Sequence, residues 1–216
     1  MKKKKTQKKS SKSKKISARG GSASGGKKLS NQITKLLDAA KIKYNLLEHR
    51  VVYTAHDVGA TTKKKLGEIA KVVLVKVEGS RTPVIASPEV RKGRGNLVQK
   101  IASDALAMTK KAKYLALIVV PAGKYIDLAG IKKALKAKKV SIASEKDITK
   151  YLKTKVGLLH PFGQLYKINT LLDKGLAKSK KIIASAGSYT HSVEIGLKDF
   201  EKLVQPIKGF FSKAKK

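Results

Sequence analysis

Two runs of aliphatic and β-branched residues, Val72-Val73-Leu74-Val75-Lys76-Val77 and Tyr114-Leu115-Ala116-Leu117-Ile118-Val119-Val120, constrain the fold of this chain most strongly. Each is far shorter than the roughly 20 apolar residues a membrane-spanning helix needs. Their length and β-branched content suit strands buried on both faces, and such strands lie in the middle of a sheet covered by helices. With 216 residues, 41% of them hydrophobic, the chain can bury one such core and carry an appendage, but not two catalytic domains.

The flanking sequence supplies the covering elements. The spacing of Ile33, Leu36, Leu37 and Ala40 predicts a first helix from about Leu29, with Ser30 as its N-cap. Residues 44–47 and 50–53 read as short extended pieces, followed by a polar, turn-rich stretch through Thr62. The strand at 72–77 ends at Glu78-Gly79-Ser80, with 82–86 as a hairpin partner, 91–96 as a basic loop and 96–108 as a helix. Beyond the second strand, Asp127 is placed to cap a helix that turns Leu128, Ile131 and Leu135 inward. Residues 140–143 form a short strand, and Ser144-Glu145-Lys146-Asp147 opens another helix as a capping box. Strands at 168–172, 181–184 and 192–195 precede a last helix carrying Leu197, Phe200, Leu203 and Val204. This irregular interleaving predicts an α+β fold, a mixed sheet with packed helices.

The formal charge is +36, from 50 basic and 14 acidic residues. Residues 1–28 hold eleven Lys, one Arg and no acid among Ser, Gly and Gln, so they are expected to be a disordered tail and linker ahead of a domain over 29–216. That domain still carries 38 basic residues against all 14 acids. Such an excess favours a polyanionic partner, which gains by releasing counterions. The tail is then either an electrostatic tether for RNA or a solubility or localisation tail. With no Cys, disulfides, thiol nucleophiles and Cys-based zinc sites are excluded. The histidines at 49, 56, 160 and 191 lack metal-ligand spacing, so no metal and no cofactor is expected. The basic N-terminus is not followed by the apolar segment of a signal peptide, which points to a cytoplasmic protein without a membrane partner.

Four segments carry a family resemblance. They are Glu48-His49-Arg50-Val51-Val52-Tyr53-Thr54-Ala55-His56-Asp57; Glu68-Ile69-Ala70-Lys71-Val72-Val73-Leu74-Val75-Lys76; Val119-Val120-Pro121-Ala122-Gly123-Lys124-Tyr125-Ile126-Asp127-Leu128; and Val156-Gly157-Leu158-Leu159-His160-Pro161-Phe162-Gly163-Gln164-Leu165-Tyr166, continued by Leu172-Asp173 and Ser185-Ala186-Gly187-Ser188. In this order they resemble the YbaK/ProRS-associated superfamily over residues 30–208. The superfamily includes the editing insertion of bacterial prolyl-tRNA synthetases and free-standing trans-editing deacylases. The resemblance implies a mixed sheet rolled toward a barrel, surrounding helices, and a pocket between the lysine strand and the Gly157-to-Pro161 loop. It also implies hydrolysis of the ester of mischarged tRNA, with the aminoacylated 3′ end as substrate and an aminoacyl-tRNA synthetase as a potential partner. The alternative is a non-catalytic tRNA- or RNA-binding protein that keeps the fold.

Under that resemblance Lys71 binds the terminal phosphate or ribose and steadies the developing oxyanion. Gly157 lets the backbone approach the ligand, Pro161 stiffens the loop, and Leu158 and Leu159 between them present backbone groups to the aminoacyl moiety. His160 is either a general base or hydrogen-bond donor to the 2′-hydroxyl, or a polar wall residue. Tyr53 and Thr54 shape the pocket. Asp173 either orients Lys71 or a water, or caps a turn; Gly187 and Ser188 either border the ligand or form a tight turn. Three departures from the family stand out: the long stretch from Ser80 to Lys113, the lysine-rich tail, and His160 where Ser or Pro is common.

Overall fold

The computed structural model describes residues 26–79 and 113–214. The expectations for residues 82–86, 91–96 and 96–108, and for residues 1–25 of the tail, lie outside the described residues.

The two apolar runs form the centre of the molecule. Strands β2 (Ala70–Glu78) and β3 (Lys113–Pro121) pair antiparallel over their full length, Ala70 opposite Pro121 and Glu78 opposite Lys113. Both faces of the pair are covered. Val75 and Val77 share one face with Ala116, Ile118 and Val120, packed against Ile131 and Leu135 of helix α3 (Leu128–Ala134) and its cap. Leu74 and Leu117 on the other face meet Ile148, Leu152 and Leu159. This two-sided burial is why both strands read as nearly unbroken apolar runs.

Strand β5 (Lys139–Ile142) adds antiparallel to β2, while β6 (Asn169–Asp173) and β9 (Ile207–Gly209) add in parallel beyond β3, giving the order β5-β2-β3-β6-β9. A second sheet is antiparallel throughout, with β8 (His191–Gly196) between β1 (Tyr44–Glu48) and β7 (Lys181–Ser185). Between the sheets lies a cluster built on Phe162, Val119, Leu172, Ile182, Val193 and Ile195. Helices α1 (Gly26–Ala39) and α4 (Leu197–Val204) close it with Ile33, Leu37, Leu197 and Phe200. A two-residue pairing of β4 (Tyr125–Ile126) with β10 (Ser212–Lys213) completes the strands. No helix among the described residues is long and apolar enough to cross a membrane.

The mixed α+β class is as expected, but the sheets do not close into a barrel. They join through one parallel bridge, Ile69 to Ile183, with the Ile183 N–H donating to Glu68 O at 2.9 Å. Helix α1 begins at Gly26, so Ser30 lies within it rather than capping it. The stretch read as polar turns contains helix α2 (Ala55–Thr62), closed by a capping box between Thr54 and Asp57, and residues 50–53 run as a loop rather than a strand. The caps at Asp127 and at Ser144 with Asp147 form as the sequence predicts.

Asp173, at the end of β6, holds the far side of the large sheet together. Its buried carboxylate accepts from the N–H of Gly175 at 2.7 Å and of Phe211 at 2.6 Å, tying the 3-10 turn Lys174–Lys178 and the C-terminal segment to one point. Removing it strands buried donors, each costing about 1–3 kcal/mol. Asp173→Ala is therefore expected to lower the unfolding free energy by about 2–4 kcal/mol in urea titrations, and a loss below about 0.5 kcal/mol would show that these bonds do not matter.

Candidate functional site

The two sheets part after the Ile69–Ile183 bridge, and the wedge between them is a cavity of about 200 Å³. Its walls come from six places in the chain. Ala70, Lys71 and Val72 at the start of β2 form one side, and Ile183, Ala184 and Ser185 of β7 with Ser192 of β8 form the opposite side. His49, Val52 and Tyr53 follow β1, Thr54, Ala55 and Val58 come from α2 and its cap, and Val156, Gly157 and Leu159 come from the loop before Pro161. The position of β5 explains the opening. It pairs with β2 only from Val75 to Glu78, with Ala143 N reaching Leu74 O, so the earlier part of that edge borders the cavity.

Lys71 sits where β2 enters the sheet, opposite Val120. Strand alternation puts its side chain on the face of Val73 and Val75, away from Ala70 and Val72. Its ammonium donates to the backbone carbonyl of Lys124, in the turn after β3. Gly157 approaches from the other side with φ +86°, a conformation that costs a side chain strain. A Cβ there would lie 2.8 Å from Tyr53 O and 3.1 Å from the Tyr189 ring, so the loop passes where only glycine fits. The rings of Tyr53 and Tyr189 meet at 5.0 Å, and the Tyr189 hydroxyl donates to Val156 O at 3.1 Å, clamping that loop.

Of the residues singled out in the sequence, Lys71, Gly157, Tyr53, Thr54, Leu159 and Ser188 line this cavity; Leu158, His160, Pro161, Asp173 and Gly187 do not. The Thr54 hydroxyl caps α2 by accepting from Asp57 N at 3.1 Å. Pro161 is buried, its carbonyl accepting from the Thr170 hydroxyl at 3.3 Å. Gly187, at φ +76°, forms the tight turn into β8, its N–H donating to the Ser185 hydroxyl at 3.1 Å. Asp173 caps its turn at the end of β6; Lys71 pairs with Val120 on one side of β3 and Asp173 follows Leu172, the partner of Val119, on the other, so the two positions stand level across the sheet. The sequence reading missed His49, Ser185 and Ser192, which bring polar atoms to the cavity. Ser192 is nearly fully buried and its hydroxyl lies 2.9 Å from His49 Nε2.

His160 points into the core. Its side chain is fully buried and its ring stacks on Tyr166, centroids 4.2 Å apart and planes within 9°. Among the described residues, neither ring nitrogen has a hydrogen-bond partner. A histidine in that position is a wall of the core and not a base facing the cavity.

The aminoacyl-tRNA editing domain family matches residues 86–203, more than half of the chain. The prolyl-tRNA editing protein ProX of Acetoanaerobium sticklandii is 25% identical over 173 residues, covering 78% of this chain and 86% of that protein. Among solved structures, a hypothetical protein superposes with a TM-score of 0.63 at 15% identity, covering 84% of this chain and 99% of its own. A candidate trans-editing enzyme for prolyl-tRNA synthetase gives 0.61 at 14% identity, with 86% and 98% covered. At these identities the two structures show a shared fold.

Burial pushes the His160 imidazole down to about 3, so it stays neutral in the folded protein. In the unfolded chain a histidine titrates near 6.5. Below that pH the unfolded chain binds a proton that the folded chain refuses. Stability present above pH 6.5 is thus lost as pH falls toward 3, by up to about 1.4 kcal/mol per pH unit. Glu194, held down to about 2 chiefly by the hydrogen bond from Lys181, joins only below the usual carboxylate range. The unfolding free energy should therefore drop by roughly 2 kcal/mol between pH 7 and pH 5, and His160→Phe should flatten that slope. An equal slope in the variant would mean that another group carries it.

Proposed function

Because the chain belongs to the aminoacyl-tRNA editing domain family, we propose that it is a trans-acting aminoacyl-tRNA deacylase that hydrolyses the ester of mischarged tRNA. The observation that carries this reading is that Lys71 and Gly157, distant in sequence, line one small cavity together with Tyr53, Thr54, Leu159 and Ser188. At about 200 Å³ it is smaller than the roughly 300–1,000 Å³ sites that hold drug-sized ligands, and it suits an aminoacyl group better than a whole nucleotide. The trans-acting form rests on the similarity to ProX, of which 86% is covered, and the prolyl system named by that relative is the first place to seek the substrate.

An aminoacyl ester is already activated, so the protein need only position a water and stabilise the charge that develops on the carbonyl oxygen. Lys71 lines the cavity with its ammonium held on Lys124 O, and the Gly157 loop brings backbone close to the other side. No Asp or Glu is among the lining residues, and His160 faces the core. The reading therefore assigns catalysis to electrostatic stabilisation and positioning, with the carbon–oxygen ester bond broken by water and the tRNA 3′ end leaving as the alcohol. The basic excess of residues 29–216 suits a tRNA partner.

Incubation with a panel of misacylated tRNAs should reveal turnover of at least one. Lys71→Ala should lower it by roughly 10²–10³-fold while tRNA affinity changes less than about twofold. Absence of turnover across the panel by folded protein would favour the binding-only alternative. The tail is proposed to tether tRNA without choosing sequence. Deleting residues 1–25, which removes nine Lys and one Arg, should weaken tRNA binding at low salt and flatten its salt dependence, leaving single-turnover hydrolysis at saturation unchanged. An unchanged salt slope would contradict the tether.

A further inference from the structure

His49 and Ser192, which have no role in the chemistry above, form the most constrained polar pair in the cavity. They are 143 positions apart, His49 in the loop after β1 and Ser192 in the middle of β8. His49 Nδ1 lies 2.9 Å from the carbonyl oxygen of Arg50, which can only accept, so Nδ1 carries the hydrogen. In the neutral ring Nε2 is then an acceptor, and the Ser192 hydroxyl 2.9 Å away must donate to it. A hydroxyl has one proton and two lone pairs. With its proton committed to His49, Ser192 Oγ offers the cavity lone pairs alone.

The location gives that oxygen a specific use. Ser192 is 1% exposed, flanked in the sheet by Leu47 of β1 and Ser185 of β7, which places it in the floor of the cavity. Three other hydroxyls on the walls are tied to the backbone around them. Ser185 Oγ accepts from Gly187 N at 3.1 Å, Ser188 Oγ from Thr190 N at 3.2 Å, and Thr54 Oγ1 from Asp57 N at 3.1 Å. Among the described residues, no carboxylate lines the cavity. An acceptor held in the floor of a small cavity selects a ligand with an N–H donor at its inner end. In an aminoacyl ester the α-amino group is that donor.

Resting on the reading that the cavity receives the aminoacyl end of tRNA, we propose that Ser192 is the acceptor for the substrate α-amino group and that His49 positions its hydroxyl. Ser192 touches substrate; His49 acts only through Ser192. The subsite makes the free α-amino group a requirement for binding, so esters lacking it are poor ligands.

The test reads affinity, not turnover, so it is separable from the deacylase reading. Stable amide analogues of the aminoacyl-adenosine end are titrated calorimetrically, one with the α-amino group and one with hydrogen in its place. Wild-type protein should bind the amino analogue at least tenfold more tightly. Ser192→Ala and His49→Ala should each reduce that ratio to below about twofold, chiefly by weakening the amino analogue. His49→Gln, whose amide oxygen can take the serine proton, should restore part of it. Equal affinity of the two analogues for the wild type, no binding of either, or a ratio that survives Ser192→Ala would overturn the assignment. Selective binding without hydrolysis of any misacylated tRNA would leave this subsite standing and remove the deacylase.

Discussion

Ile69, immediately before β2, touches Ile183 of β7, the two strands then separate, and the rest of the site depends on that parting. Had the two strands stayed paired, the large and small sheets would share a continuous ladder and leave no space between them. The bridge instead acts as the apex of a wedge. Ile69, Ala122 and Ile183 fill the apex, with Leu47, Ala55, Val58 and Leu66 packed around it, so the wedge is closed at its base by apolar contact and open above. Lys71 comes immediately after the apex on one strand, and Ser185 with its neighbour Ser192 after it on the other. Chemistry is thus placed by backbone divergence rather than by an inserted loop.

The remaining elements hold the wedge at a fixed width. Glu194, one residue pair from the Ser192 position on the same face of β8, accepts from Lys64 and Lys181, both at 2.9 Å, and from Asn45 at 3.2 Å. Because Lys64 follows α2, this buried carboxylate ties the end of that helix to the small sheet. Gly59 lets α2 lie close, since a Cβ there would be 2.8 Å from Leu66 and 2.9 Å from Ile69. On the opposite rim the Tyr53–Tyr189 pair fixes the Gly157 loop. The cavity is therefore bounded by groups whose positions are set before any ligand arrives, which is the condition for electrostatic stabilisation without reorganisation.

Much of this could be read in the sequence, and the misses share a cause. Strands β2 and β3 and the caps at Asp127 and Ser144 rest on local signals, and they form as predicted. The capping box at Thr54 and Asp57 is an equally local signal. The helix after it, with Gly59 and two threonines, has poor intrinsic propensity and is held by contact with Leu66 and Ile69 instead. Strands β9 and β10 are two or three residues long and exist through pairing with β6 and β4, which no periodicity announces. The motif loop led to Lys71 and Gly157 in one cavity, yet it could not say which way His160 turns. Its burial is decided by Tyr166 stacking on the ring. The His49–Ser192 contact joins opposite ends of the chain and left no local trace.

The central claim is that the cavity between β2, β7 and the Gly157 loop receives the aminoacyl end of tRNA. A crystal structure of the protein with a stable aminoacyl-adenosine amide tests it most directly. The account predicts the acyl group inside the wedge, its carbonyl oxygen within hydrogen-bond reach of the Lys71 ammonium and the adenosine outside, beyond Tyr53. Analogue bound elsewhere, or with the adenine in the wedge and the acyl group in solvent, would contradict it.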